Sequence, residues 1–588
     1  MIEPLRKCPL IEKDVDQLIR KQVLQNAVEF GGKAQAGSVV GKVLSERPDL
    51  KVQIQELIPK VAAITKELNH LPFQEQKKLL DALCPEPVAE GDKTAEKVLP
   101  PLPNVEKYRS IHVRFSPNPD GALHLGGARA ALLCDEYAKI YKGRFTLRFD
   151  DTDPRTKFPL PEAYDWIVKD LDWLGVTWHS TIYQSDRLEL YYGYAQQLIE
   201  LGVAYVCTCN PPEFKTRILE QVPCPCRDLS PDIHLMRWTQ MLNHTFGEGK
   251  AVVRMKTDLH HPNPAVREWP AFRIVDADKY PHPRTGTKYR VWPLFAFCCG
   301  IDDHDLQISH IIRGKEHLTN TVRQLFLYDY LHWEYPEVIH YGRLKIVGTL
   351  LSKSKIKEGV LNGTYTGWDD PRLGTLMALH KRGFLPQTIR HLIIDVGPKP
   401  VDATISWDNI QAINRKLLDP VTDRYFFVAH PVLLHITNVA RAYISKLLLH
   451  PGHSEQGNRI LTVTPEDGLV TLFISKSDLP LLQPNRVVRL MGLFNITIIR
   501  VDDHVEAEFH SETYGDAKRV EASLIHWIPH DTGIKTSIIM PDASSVWGLG
   551  EDGCKALQPG TIVQFERFGF VRVDKVVDGS ILAYYAHR

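Results

Sequence analysis

Residues 114–127 read Arg114-Phe115-Ser116-Pro117-Asn118-Pro119-Asp120-Gly121-Ala122-Leu123-His124-Leu125-Gly126-Gly127. The apolar run 111–115, with its β-branched members, suits a buried strand. Pro-Asn-Pro-Asp-Gly can neither continue that strand nor begin a helix, so the chain turns there. Gly126 and Gly127 then open a helical pattern, carried by Ala128, Ala131 and Leu132 to about residue 141. Strand, turn and helix in that order leave free backbone N–H groups at a helix N-terminus, which suits a phosphate. One imidazole, His124, stands in the same turn. Residues 145–149 read as the next strand, and it ends in Asp150, Asp151 and Asp153. A ligand of such a βαβ unit belongs at the carboxyl ends of its strands.

Two further groups could do chemistry. Cys207-Thr208-Cys209 and Cys224-Pro225-Cys226 are separated by a short loop. Four thiolates close a tetrahedral structural zinc site, although the usual Cys-x₂-Cys spacing is absent. Reduced, unliganded thiols are the other reading. Ser352-Lys353-Ser354-Lys355 by itself reads as a solvated loop, as His124 alone reads as a histidine in a turn. Arg148 with Asp150 alone reads as a surface ion pair. Cys298-Cys299, if on a strand, would face opposite ways within the core.

The elements that must position these groups fall into three textures. Residues 1 to about 90 are helical and polar: Leu18, Val23, Leu24 and Ala27 fit a 3.6-residue period, as do Ile54, Leu57, Ile58 and Val61. The glycine-containing stretch 31–37 interrupts them without the Lys-Ser/Thr ending of a phosphate loop. Residues 85–104, rich in Pro, Glu and Lys, read as a linker. From 105 to about 400 strand-like and helix-like runs alternate, as in a doubly wound α/β domain. Beyond about 410 short β-rich runs appear at 461–463, 487–490, 496–499 and 561–565, which suggests one or two β-barrels.

Composition excludes several classes. The 588 residues are 43% hydrophobic and 24% charged, an ordinary globular balance with room for several domains. No run is long enough to cross a membrane and no signal peptide is visible, so a cytoplasmic home is expected. Lys plus Arg equals Asp plus Glu at 71 each, so any nucleic-acid contact must use local basic patches. Ten cysteines in a cytosolic chain point to thiols or metal rather than disulfides.

Residues 117–127 resemble the first signature of class I aminoacyl-tRNA synthetases, His-x-Gly-His, and Arg148-Phe149-Asp150-Asp151-Thr152-Asp153-Pro154 narrows the resemblance to the glutamyl/glutaminyl subgroup. Leu350-Leu351-Ser352-Lys353-Ser354 is similar to the second, Lys-Met-Ser-Lys-Ser, without its first lysine. The resemblance implies a Rossmann-type catalytic domain at 105–410 with an acceptor-stem insertion at about 200–295. It also implies a helical extension and linker at 1–104 and anticodon-binding β-barrels at 411–588, the arrangement of the archaeal and eukaryotic branch. That branch is further resembled at Trp292-Pro293-Leu294, Gly300-Ile301-Asp302-Asp303-His304 and Trp368-Asp369-Asp370-Pro371-Arg372-Leu373. The helical extension would contact tRNA or serve as a packing appendage.

The implied activity is ligation of L-glutamate to tRNA(Glu), with ATP and Mg²⁺, through glutamyl-adenylate; tRNA(Gln) is a second candidate acceptor. His124, Gly126 and Lys353 then carry catalysis. Pro117, Asn118, Gly121, Gly127, Glu316, Ser352 and Ser354 join them around ATP. Arg114, Ser116, Asp150, Phe295 and Arg313 surround the amino acid, and some members bind zinc at the insertion bearing the four cysteines. Asp150 suits the α-ammonium and Arg114 a carboxylate. Gly127 stands where the family's second histidine would be, and Phe295 where relatives often carry a tyrosine. The glutaminyl form shares these signatures, and the side-chain end of the pocket separates the two. Two other classes share parts of the pattern. A non-catalytic tRNA-binding paralogue would fit Gly127, and a small-molecule adenylyltransferase would share the first signature but not the β-rich C-terminus.

Overall fold

The computed structural model describes residues 9–29, 32–47, 54–83 and 98–588. The 31–37 interruption is described from residue 32, and of the expected linker only 98–104 falls among the described residues. The chain divides into two compact units, 1–96 and 97–588.

The first unit packs four helices, α1 (Pro9–Glu29), α2 (Ala36–Glu46), α3 (Ile54–Asn69) and α4 (Phe73–Leu83). Val23, Leu24 and Ala27 of α1 meet Val39 and Val43 of α2 and Leu57, Val61 and Leu68 of α3 in its core. Ile54 and Ile58 are exposed instead, at 38% and 50%. The buried stripe of α3 runs Leu57, Val61, Ile64, Thr65, Leu68, so Ile54 lies at the helix start and Ile58 at the stripe's edge. Asn69 clasps Ala34, accepting its N–H at 2.8 Å and donating to its carbonyl at 2.9 Å.

The second unit begins with the expected βαβ. Strand β1 (His112–Phe115) leads through the proline turn to α5 (Leu125–Ile140), and β2 (Arg144–Phe149) returns parallel to β1. Helix α6 (Pro161–Trp173) and β3 (Ser180–Tyr183) follow, β3 parallel to β2. All four β1 residues are buried, and five of the six in β2, because helices cover this sheet.

After α7 (Leu188–Glu200) the chain builds a four-stranded antiparallel sheet from β4 (Ala204–Cys207), β5 (Val252–Met255), β6 (Pro270–Ile274) and β7 (Val291–Pro293). Helices α8 (Pro211–Leu219) and α9 (Pro231–Leu242) lie between β4 and β5 in sequence. Helix α10 (Phe295–Asp305) leads back to β8 (His310–Gly314), α11 (Leu318–Tyr330) and β9 (Glu337–Tyr341), with β8 and β9 parallel. Ser309 joins this pair to β1: its N–H donates to His112 O at 2.9 Å and its hydroxyl accepts from His112 N at 2.7 Å. Cys298 and Cys299 therefore lie on a helix and not on a strand. Both are fully buried, because α10 is enclosed along most of its length.

Beyond β10 (Leu344–Ile346), α12 (Lys353–Leu361), α13 (Leu376–Arg382), α14 (Pro386–Val396), β11 (Ala403–Ile405) and α15 (Trp407–Leu418), the architecture becomes β. Two seven-stranded sheets follow. One uses strands between 431 and 529 alone; the other combines Arg424–Tyr425 and Phe427–Ala429 with strands from 534 to 587. The chain thus leaves one sheet, completes the other, and returns. Asn414 ties the last strand to α14 and α15: its amide donates to Gly383 O at 3.2 Å and bonds His587 Nε2 at 2.9 Å, while its oxygen accepts from Leu385 N and Thr388.

Candidate active site

The proline turn is fixed from three sides. Pro117 O accepts Asp150 N at 3.0 Å, and Pro119 O accepts Leu160 N at 2.8 Å. Gly121 lies under Trp368, where an added Cβ would come within 2.2 Å of the indole ring, so only glycine fits. Leu125 N donates to Gly374 O, and Leu376 N to Leu123 O, which locks the turn to the start of α13.

His124 is the N-cap of α5, and its Nδ1 accepts the Gly127 N–H at 3.3 Å. An acceptor at Nδ1 keeps the ring neutral. Burial, with the Lys353 ammonium nearby, lowers its pKa to about 4. A Cβ on Gly126 would stand 3.0 Å from His124 Cε1, so the glycine lets the ring fold over the helix start. At Gly127 a Cβ would meet only Leu123, at 3.5 Å, so space does not exclude a side chain there.

Lys353 is the first residue of α12, preceded by Ser352 as N-cap and followed by Ser354 inside the helix. Its ammonium donates to Asn118 O at 2.8 Å and lies 3.1 Å from Asp120 Oδ1. The 352–355 stretch thus closes onto the proline turn, and His124 and Lys353 share one enclosure.

A buried charge network forms the adjoining wall. Arg114 directs Nε and Nη2 at the two oxygens of Asp303, at 2.9 and 3.3 Å. Arg148 bonds Asp303 through Nη1 and Asp150 through Nε, both at 2.9 Å. Asp150 also accepts the Cys299 thiol at 3.3 Å. Asp302 accepts Arg187, Gln184 and Tyr191. The Arg148–Asp150 pair exists, but it is buried and not on the surface. Burial raises the Asp150 pKa, whereas Arg114 and Arg148 hold that of Asp303 down. Arg114 therefore engages Asp303 through Nε and Nη2, which leaves Nη1 as the nitrogen it can offer a ligand.

Other side chains in this wall carry open valences. Arg313, on β8, donates Nη2 to Thr321, Gln324 and Tyr335, while its Nε and Nη1 have no partner among the described residues. Ser116 Oγ and Asn118 Oδ1 are likewise buried and unpartnered. Phe295, at the start of α10, is 36% exposed and stacks on His317 at 4.8 Å. Burial and the charges of Arg313 and Arg114 depress His317 to about 4, so it too is neutral. Glu316 is exposed, and its carboxylate lies over Gly314. Unmet donors and acceptors in a buried wall call for a polar ligand.

Three family models match the chain between residues 110 and 574. The catalytic domain of class I tRNA synthetases (E and Q) matches residues 110–420, and two anticodon-binding domains of the same class match 422–513 and 524–574. This chain belongs to the class I tRNA synthetases for glutamate and glutamine. The synthetase is 50% identical over 581 residues to a protein of Pyrococcus furiosus named glutamate–tRNA ligase, covering 98% of this chain and all of that one. Proteins of the same name from Thermococcus onnurineus and Methanopyrus kandleri are 46% and 43% identical, again over 98% of this chain and all of theirs.

The four cysteines of the synthetase converge. Cys207 ends β4, Cys209 follows it, and Cys224 and Cys226 come from the loop between α8 and α9. Their sulfurs all lie within 4.8 Å of one another, with Cys207–Cys224 and Cys209–Cys226 each at 3.8 Å. Sulfurs about 2.3 Å from a central zinc stand about 3.8 Å apart in a tetrahedron, so the set fits that ion. Thiol donation from Cys207 lowers the Cys224 pKa, and Arg237 Nη1 donates to Cys226 Sγ at 3.3 Å. Sequence reasoning had no role for Asp303, Asp120, His317 or Trp368. The Asp302-Asp303 pair directly after the apolar run 295–301 was the signal for the first.

Proposed function

We propose that this chain ligates L-glutamate to tRNA(Glu). The glutamate α-carboxylate attacks the α-phosphorus of ATP, the bond to the β-phosphate oxygen breaks, and pyrophosphate leaves. A hydroxyl of the terminal adenosine of tRNA then takes the glutamyl group from the adenylate, and AMP departs. Neither step requires an enzymic acid on the carboxylate, which is already ionised, so the protein's work is positioning and charge stabilisation. The observation that carries the glutamate reading is the half-identity, end to end, with a chain named glutamate–tRNA ligase.

In this reading the first turn of α5, with Gly126 and Gly127, faces the phosphates, and neutral His124 offers Nε2 to them. Pro117, Asn118 and Gly121 shape the nucleotide's side of the turn, and Glu316 lies at its rim. Lys353, flanked by Ser352 and Ser354, meets the charge that develops on pyrophosphate, a contact worth about 10²–10³ in rate. Mg²⁺ arrives with ATP and neutralises the triphosphate. Arg313, with two open nitrogens, takes the substrate's side-chain carboxylate, and Ser116 and Phe295 complete the amino-acid pocket. Asp150 faces the α-ammonium, and Arg114, held by Asp303 through Nε and Nη2, offers Nη1 to the amino acid. Structural zinc at Cys207, Cys209, Cys224 and Cys226 would hold the insertion together.

The labour divides as 1–104 for an accessory helical unit, 105–410 for catalysis with the acceptor stem met at 200–295, and 411–588 for the anticodon. Charging assays with labelled glutamate and glutamine, against tRNA(Glu) and tRNA(Gln) separately, test the reading. Glutamate on tRNA(Glu) is expected, and glutamate on tRNA(Gln) as well would widen the acceptor range. Glutamine on tRNA(Gln) alone would overturn the pocket assignment.

A further inference from the structure

Asp120 lies in the proline turn between two ammonium groups. Its Oδ1 is 3.1 Å from Lys353 Nζ, and its Oδ2 is 3.3 Å from Lys157 Nζ. The carboxylate is buried at 8% exposure, and the Lys353 side chain is exposed by only 17%. An ammonium so enclosed tends to lose its proton unless a counter-charge holds it. Burial is the largest influence on Lys353 and lowers its pKa; Asp120 is the largest opposing one. Of the other groups facing Lys353, Lys157 lowers it further and Asp170 raises it more weakly, while His124 is neutral. Asp120 in turn is held ionised by the two lysines.

We propose that Asp120 is a positioning residue for adenylation, keeping Lys353 protonated and docked on the proline turn until the triphosphate replaces it as acceptor. No covalent bond changes in this exchange. A Lys353 N–H passes from Asp120 Oδ1 to a phosphate oxygen, and Lys157 remains on Asp120. The inference rests on the reading of Lys353 as the pyrophosphate ammonium. It adds the group that keeps that ammonium charged and in place before ATP arrives.

Two measurements on the full chain distinguish its failure from failure of that reading. In ligand-free protein, Lys353 is labelled with acetic anhydride across a pH series and followed by peptide mass spectrometry, with Lys355 as internal reference. The midpoint pH for Lys353 is expected to fall by about one unit or more in Asp120→Asn, and to return in Asp120→Glu. The alkaline limb of kcat/KM for ATP, read in tRNA-dependent pyrophosphate exchange, moves the same way, because that ratio reports the free enzyme. A loss of folding alone would lower activity at every pH without moving the limb. Identical labelling midpoints in wild type and both variants overturn the role of Asp120. A midpoint shifted in Asp120→Asn, together with wild-type protein that exchanges no pyrophosphate, upholds Asp120 as the counter-charge and overturns the adenylation reading instead.

Discussion

Gly121 and Trp368 compete for one volume. A Cβ at 2.2 Å from the indole cannot be accommodated by a flexible side-chain tip, since the ring is itself buried at 8% exposure. Gly121→Ala is therefore expected to destabilise the fold by about 1–3 kcal/mol and to displace the proline turn, with exchange activity falling more than stability does. Thermal unfolding and pyrophosphate exchange on the same preparation check this; an unchanged pair would mean that the turn has slack. Arg313 makes a second prediction at this scale. Lysine keeps the charge but not the planar guanidinium that bonds Thr321, Gln324 and Tyr335 while leaving two nitrogens open. Arg313→Lys should raise KM for glutamate about 10²-fold, with a smaller effect on KM for ATP. Equal effects on the two would place Arg313 outside the amino-acid pocket. Such residues were unequally legible. His124 and Lys353 were found through the patterns around them, since each alone reads as an unremarkable loop residue. Asp120 was read only as a turn former, because no pattern within the turn shows that a lysine more than two hundred positions later closes onto it.

Elements were legible where period and length agreed. The β1–α5–β2 unit and the strands at 487–490 and 562–565 lie within a residue or two of their expected limits. Helix α10 was not, because Cys298-Cys299 within a short apolar run carries no decisive period, and only its packing tells helix from strand. The α8–α9 segment poses a related question, since its loop is joined to β4 chiefly through four sulfurs and a few hydrogen bonds. If zinc closes that site, purified protein carries about one equivalent by elemental analysis. Cys224→Ala then loses the metal, and proteolysis cuts first within 208–230. Protein that holds no zinc and resists proteolysis equally with and without chelator would leave the thiols as packing groups.

At the scale of the whole molecule, the order of helical unit, α/β domain and β-rich region was readable from texture alone. The return of the chain from one seven-stranded sheet to the other was not, because strand pairing across a hundred residues leaves no local mark. The same long-range packing buries histidines that sequence cannot rank. His112, His282, His526 and His587 lie in four different regions, and burial lowers each to about 4. Each has a hydrogen-bond partner in place, Thr146, the Asp151 and Phe427 carbonyls, and Asn414, and burial outweighs the two carbonyls, which favour the charged ring. In the unfolded chain they titrate near 6.5. Between about pH 6.5 and 4 the unfolded state therefore binds more protons than the folded one, so stability falls as pH falls through that window. Asp170, pushed up to about 8 by burial, acts in the opposite sense, since its folded form holds a proton that the unfolded form gives up. Burial also raises Asp150, Asp151, Glu268 and Glu551, which act with Asp170, but His124, His317 and His340 join the four histidines at about 4, so the rings outweigh the carboxyls over the acidic range. The denaturant midpoint should accordingly drop steadily from pH 7 to pH 4.5, whereas a level or rising midpoint would mean that these rings protonate without unfolding.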